Sequence, residues 1–172
     1  GTLGLVHRES VGVVGAIVPW NFPLMIGAWK LAPALAMGNS VVLKPAEVAS
    51  LSLLRLVELC HEAGLPDGVL NVVTGEGREV GEALGLHNDV DVLLFTGSGG
   101  VGRRLLEYSA RSNLKRVYLE LGGKSASVVF DDYGNLGKAA KVSAGGIFRD
   151  SGQVCVAGSR LLVQRSIYEP FL

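Results

Sequence analysis

The residue in this chain best able to do covalent chemistry is Cys155, set in "SGQVCVAGSR" between Gly152 and Gly158. Cysteine is commonly small core filler, and that reading suits Cys60, which sits among Leu56, Val57 and Leu59. Cys155 has no apolar frame on its N-terminal side, where Asp150, Ser151, Gly152 and Gln153 precede it. A thiol in such a loop could serve as a nucleophile. An ordinary cysteine is only a few per cent thiolate at neutral pH, so that role requires a nearby base or positive charge. The loop alone leaves the structural and the catalytic readings open.

Other stretches have the chemistry of a nucleotide site. "FTGSGGVGRR" carries Gly97, Gly99 and Gly102 in GxGxxG spacing, and Glu120 ends the following strand, near where a dinucleotide fingerprint places its ribose-binding acid. That fingerprint normally opens the first strand–helix–strand unit, whereas three strand and helix pairs precede it here. Its detail therefore reads as coincidence, yet a helix beginning near Gly99 still offers free N–H groups and a positive dipole end to a pyrophosphate. A tight turn that needs only glycine's backbone freedom is the alternative. "TGEGREVG", with Gly75, Gly77 and Gly81, repeats the arrangement. In "LKPAE", Lys44 and Glu47 lie just past the apolar strand residues 41–43. An acid and a base there could bond the two hydroxyls of a ribose, and the carboxylate would repel a 2′-phosphate. A solvated loop salt bridge is the competing reading.

These groups must be held by a scaffold, and the hydrophobic pattern supplies one. Short β-branched runs alternate with helical patterns: "VGVVGAIV" then 22–37, "SVVLK" then 50–63, "VLNVV" then 78–87, "DVDVLLF" then 100–112, and "KRVYLEL". Parallel neighbours need a crossover, so this alternation predicts an open, mostly parallel α/β sheet. After "LELGGKS" the rhythm changes to "ASVVF", a small-residue helix near 135–148, the cysteine loop and "RLLVQ". A domain boundary is expected at Gly122 and Gly123, leaving a second unit small for an independent core.

Composition narrows the function class. The 172 residues carry 16 basic and 16 acidic side chains and 48% hydrophobic content, which fits a globular chain with a real core and no field for nucleic acid or an anionic membrane. The most apolar stretch is broken by Pro19, and the first residues lack a signal-peptide pattern, so a cytoplasmic protein is expected. Two cysteines are too few for a disulfide scaffold, and no Cys/His cluster has metal spacing. His7, His61 and His87 lie in no motif and read as surface or packing residues. Glycine, at 24 residues, exceeds the usual share of about 7% and falls at the ends of apolar runs, where it punctuates turns.

Taken together, "PWNFP" (19–23), "GNSVVLKPAE" (38–47), "AGLPDGVLNVVTG" (63–75), "FTGS" (95–98), "LELGGKS" (119–125) and "GQVC" (152–155) resemble the aldehyde dehydrogenase superfamily. Within it the chain is most similar to bacterial NAD-dependent enzymes acting on γ-glutamyl-γ-aminobutyraldehyde and other ω-amino aldehydes. The resemblance implies a Rossmann-like coenzyme domain over 1–122 and the first, incomplete part of a catalytic domain over 123–172. It implies that the chain is an internal piece of a longer protein, inactive by itself, whose full-length parent is a homodimer or homotetramer.

The resemblance also implies roles. Cys155 would be the nucleophile, Glu120 the general base and Asn21 an oxyanion donor, in oxidation of an aldehyde to an acid through a thiohemiacetal and a thioester. The coenzyme would be NAD, with NADP possible. Its contacts would come from Ile17, Val18, Pro19 and Trp20, from Lys44, Ala46 and Glu47, and from Gly77 and Gly81. Phe95, Thr96, Gly97, Ser98 and Val101 would complete the set with Leu121 and Gly122. No metal is expected. A non-catalytic nucleotide-binding or structural relative is one alternative, and an acylating enzyme that passes the thioester to coenzyme A is another. Four positions depart from the family pattern that the resemblance implies: Ser10 where proline is usual, Gly99 and Gly100 where threonine and a polar residue are usual, and Asp150 in "FRDSGQ" for the commoner "FxNxGQ". The double glycine bears on coenzyme affinity.

Overall fold

The computed structural model describes residues 1–172 and divides into two compact units, Gly1–Glu120 and Leu121–Leu172. The first unit is built on a parallel sheet. Its strands are β1 (Val13–Ile17), β2 (Ser40–Lys44), β3 (Leu70–Val72), β4 (Val92–Gly97) and β5 (Arg116–Leu121), in the spatial order β3-β2-β1-β4-β5. Helices α1 (Pro23–Ala36), α2 (Leu51–Glu62), α3 (Glu82–Leu86) and α4 (Gly99–Ala110) connect them. Strand β1 lies in the middle, in register with β2 from Val13↔Ser40 to Ile17↔Lys44 and with β4 from Val14↔Val92 to Ile17↔Phe95.

Alternation along each strand distributes the core to both faces of the sheet. Val14, Ala16, Val41, Leu43 and Val92 pack with Ile26 and Leu31 of α1 and with Leu53 and Val57 of α2. Ile17, Leu93 and Phe95 point the other way, packing with Leu84 of α3 and Leu105 of α4. Burying a side chain of the size of Leu43 or Leu93, both fully covered, stabilises the fold by about 1.5–3 kcal/mol. On β5 the same alternation sends Val117 and Leu119 to the α3–α4 face. Tyr118 and Glu120 therefore take the α1–α2 face.

Local signals fix the helix ends. Pro23 pre-sets the first turn of α1, and Gly38, at φ 74°, takes the left-handed position just past its end. Buried Asn39 ties that end down: its Oδ1 accepts from the N–H groups of Val11 at 2.7 Å and Gly12 at 3.1 Å, while Nδ2 donates to Ala34 O at 2.9 Å.

The second unit is a smaller parallel βαβ arrangement of β6 (Ala126–Val129), α5 (Leu136–Phe148) and β7 (Arg160–Val163), closed by α6 (Tyr168–Phe171). Val129, Ala139 and Phe171 form its buried centre. No helix in the chain is long and apolar enough to cross a membrane.

Candidate functional site

Strand order in the first sheet reverses at β1: the chain moves outward to β2 and β3, then returns to β4 on the opposite side. Open α/β sheets bind ligands in the crevice beyond the strand ends at such a reversal. A cavity of about 330 Å³ occupies that position. The end of β1 and the loop after it, Ile17 to Trp20, line it on one side. The end of β4, Phe95, Thr96, Gly97 and Ser98, lines it on the other, continuing to Val101 of α4. Lys44, Ala46, Glu47, Gly77 and Gly81 complete the portion anticipated from sequence, whereas Leu121 and Gly122 do not line it.

The α4 end of this cavity is a formed helix start. Ser98 is the N-cap, its Oγ accepting from Val101 N–H at 3.4 Å, and the helix proper begins at Gly99. The first N–H groups of a helix have no acceptor within it, so this twelve-residue helix presents donors and a positive dipole end to the cleft. Gly75, Gly77 and Gly81 surround a different structure: Gly77–Gly81 is one wide π-type turn running directly into α3.

Lys44 and Glu47 are not a solvated loop pair. Lys44 closes β2 with its side chain only 3% exposed, and Nζ donates to Glu47 Oε1 at 2.8 Å. Lys44's hydrogen bond and Glu47's own backbone N–H hold the Glu47 carboxyl below the usual carboxylate range, against the opposing effect of burial, with a smaller pull from Gly77 N–H. The cavity wall thus carries a fixed carboxylate and a buried ammonium side by side.

Four further residues line the cavity that motif reading did not reach: Arg78, Arg104, Leu105 and Tyr108. Val101, Arg104, Leu105 and Tyr108 fall at helical spacing on one face of α4, a periodicity visible in the sequence once the helix start is placed at Gly99. Arg78 was hidden between two glycines that drew attention to themselves. Lys30 of α1 does not line this cavity, yet it feels a residue singled out from the sequence: burial lowers its pKa, and the charge of Glu120 opposes that shift. The two meet because α1 and the side chain of Glu120 occupy the same face of the sheet.

Asn21 sits in the turn between Trp20 and Phe22, and its Oδ1 accepts from Phe22 N–H at 3.1 Å, which fixes Nδ2 as the donor end of the amide. Glu120, near the end of β5, is exposed. Cys155 belongs to the second unit, is exposed, and follows three consecutive left-handed residues: Asp150 at φ 51°, Ser151 at φ 55° and Gly152 at φ 75°. Gln153 N–H closes this turn onto Asp150 O at 3.0 Å, and Ala157 N–H reaches Val154 O at 3.1 Å beyond it. Left-handed backbone is best tolerated by glycine, asparagine and aspartate, which suits Asp150 to its place in this turn. Cys60 packs against the α1–α2 core, as its apolar neighbours suggested. His61 Nε2 lies 3.2 Å from Leu70 O, so it is a packing residue. No group of three or more His, Cys, Asp or Glu side chains is placed to hold a metal ion.

Comparison with known proteins agrees along the whole length. The family model described as "Aldehyde dehydrogenase family" matches residues 1–172. The NADP/NAD-dependent aldehyde dehydrogenase PuuC of Escherichia coli K12 is 59% identical over 170 residues, which is 99% of this chain and 34% of that protein. Among solved structures, γ-glutamyl-γ-aminobutyraldehyde dehydrogenase from Burkholderia cenocepacia J2315 superposes with a TM-score of 0.92 at 56% identity, over 95% of this chain and 33% of its own. PnpE, known from Pseudomonas sp. WBC-3, superposes in its complex with nicotinamide adenine dinucleotide with a TM-score of 0.92 at 53% identity, over 96% of this chain and 34% of its own. The chain spans about a third of the length of these relatives.

Proposed function

The chain belongs to the aldehyde dehydrogenase family, and on that premise we propose that the protein carrying it oxidises an aldehyde to a carboxylic acid with NAD through a covalent intermediate on Cys155. The observation that carries this reading is the convergence of the β1 end, the Lys44–Glu47 pair and the Ser98-capped start of α4 on one cleft at the reversal of strand order. Lys44 and Glu47 would hold the two hydroxyls of the adenosine ribose. The first-turn N–H groups of α4 would hold the pyrophosphate. We read Gly1–Glu120 as the coenzyme unit and Leu121–Leu172 as the beginning of the catalytic one.

Bound NAD supplies the hydride acceptor. This chain contributes the nucleophile, the base and the oxyanion donors. A carbonyl carbon cannot expel hydride until it has gained a nucleophile, and Cys155 Sγ is that nucleophile. Its addition turns the carbonyl oxygen into an oxyanion, which accepts from the Asn21 side-chain amide and the Cys155 backbone N–H. One such donor lowers the barrier by about 3 kcal/mol. Loss of hydride converts the adduct to a thioester on Cys155. Glu120 then takes a proton from water, and the resulting hydroxide displaces the thiolate to leave a carboxylic acid. Glu120 favours this hydrolysis over transfer to coenzyme A, because water needs a base and a thiol acceptor does not.

The test is to incubate the full-length protein with an aldehyde and NAD and follow reduced coenzyme by its near-ultraviolet absorbance. Turnover that disappears in Cys155→Ala, with acid formed in the absence of coenzyme A, is the expected result. Tight NAD binding with no aldehyde oxidation would leave a nucleotide-binding module instead.

A further inference from the structure

One buried cation takes no part in the chemistry above. Lys115, just before β5, is 5% exposed, and its Nζ donates to Gly85 O at 2.7 Å and to Ser112 Oγ at 2.9 Å. Neither partner is an acid. Glu82, the acid of α3, instead accepts from the Tyr108 hydroxyl at 3.1 Å. Burial is what acts on the Lys115 ammonium, and it lowers the pKa. A charge held only by neutral groups keeps much of its desolvation cost, so global stability alone gives little reason for a lysine here.

The backbone of Lys115 is fixed without its side chain. Its carbonyl accepts from Ser109 Oγ at 2.6 Å and its N–H donates to Asn113 Oδ1 at 3.1 Å, while Asn113 Nδ2 donates to Asn88 O at 2.7 Å and to Val90 O at 2.9 Å. What the ammonium adds is its hold on Gly85. That residue belongs to α3, which continues from the turn Gly77–Gly81 as one helical run, and each end of the run meets a charge of the sign its dipole favours. At the start, Gly77 N–H helps to hold the Glu47 carboxylate; near the end, Lys115 takes the Gly85 carbonyl. Gly77, Arg78 and Gly81 of this run line the cleft. Gly85 also lies so close to Tyr108 that a Cβ there would be 2.7 Å from the ring, and Tyr108 lines the cleft from α4. Any shift of Gly85 therefore reaches two walls of the cleft.

We infer that Lys115 is a positioning residue for the coenzyme: its ammonium, clamping Gly85 O beside Ser112, holds residues 77–86 and Tyr108 where the cleft can grip the nucleotide. This rests on reading the cleft as the dinucleotide site. The charge serves the shape of the cleft, so an apolar side chain of similar length removes the clamp while the backbone bonds around it stay in place.

Lys115→Met in the full-length protein is expected to raise the KM for NAD and to weaken 5′-AMP binding about tenfold, with kcat at saturating NAD and the KM for aldehyde within about twofold of wild type. Amide exchange over residues 77–86 accelerates in this variant and slows again when NAD saturates the site, a reversal that loss of stability alone does not produce. Lys115→Arg, which keeps a charge and N–H donors, restores part of the affinity. Ser112→Ala removes one acceptor of the clamp and weakens 5′-AMP about threefold, and it decides the matter if the methionine variant does not fold. Unchanged 5′-AMP affinity in whichever of these variants folds, or kcat and both KM values moving together, overturns the role of Lys115 and leaves the coenzyme site standing. A wild type that binds neither NAD nor 5′-AMP overturns the coenzyme reading of the cleft, and this inference with it.

Discussion

Lys44 Nζ donates to Glu47 Oε1 at 2.8 Å from a side chain that is itself 3% exposed, so a buried ammonium and a half-exposed carboxylate share one wall of the cleft. The pair is structural before it is functional. It neutralises a charge that β2 carries out of the core, and it holds both groups at the position where a ribose would meet them.

The pair makes stability depend on pH in a stated direction. Glu47's folded pKa lies below its ordinary value, chiefly through Lys44. The stabilisation is therefore complete above the unfolded carboxylate pKa of about 4.3 and is lost as pH falls through the lower folded value. Glu47→Gln should lower the melting temperature at neutral pH by a few degrees. The gap from wild type should close only on acidification below the ordinary glutamate range, as melting curves at several pH values would reveal.

Asn21→Ala tests the oxyanion role. Turnover of the full-length protein should fall about 10²- to 10³-fold with little change in KM, because the donor acts on charge that develops in the transition state. Alkylation of Cys155 by iodoacetamide should proceed at the wild-type rate. A parallel loss of thiol reactivity would instead mean that the loop had been disturbed.

Ser151 holds a left-handed backbone, at φ 55°, four positions before Cys155. Ser151→Gly removes its steric cost and should stabilise the protein by up to about 1 kcal/mol. Ser151→Val places a β-branched side chain there and should cost about 1–3 kcal/mol. If the strained turn presents the thiol, the valine variant also slows alkylation of Cys155, which a thermal melt alone would not register.

Two glycines, Gly85 in α3 and Gly100 in α4, should respond oppositely to alanine. A Cβ on Gly85 would lie 2.7 Å from the Tyr108 ring, so Gly85→Ala displaces Tyr108 and its bond to Glu82. The expected loss is about 1–3 kcal/mol. A Cβ on Gly100 meets nothing within 4 Å. Gly100→Ala should therefore stabilise the start of α4 by about 0.5 kcal/mol, the helix-propensity difference, measured by denaturant unfolding.

Much of the first unit was legible from residues alone. Short β-branched apolar runs such as 41–43, followed by helical patterns, are local signals, and β2 is observed at Ser40–Lys44. The coenzyme contacts that the family resemblance implied also include most of the residues that line the cleft. Sequence reading stopped where the contacts became non-local. Arg104 and Tyr108 enter the cleft because α4 packs Leu105 into the core, and Lys30 meets Glu120 only because β5 takes the far edge of the sheet with that side chain turned toward α1.

The order of chemical groups along the chain by itself determined the strand–helix alternation and placed Lys44 three residues from Glu47, because both rest on residue type and short spacing, whereas the roles expected of Cys155, Glu120 and Asn21 rest on the family resemblance. Strand order was decided only in three dimensions, and with it the reversal at β1 that opens a cleft there. Tertiary structure also buried Lys44, and it gathered Arg78 and Arg104 on one wall system from segments far apart in sequence. Hydrophobic pattern specifies which face of an element is covered. Which element covers it, and which charges are carried along to meet, depends on how all the faces are satisfied together.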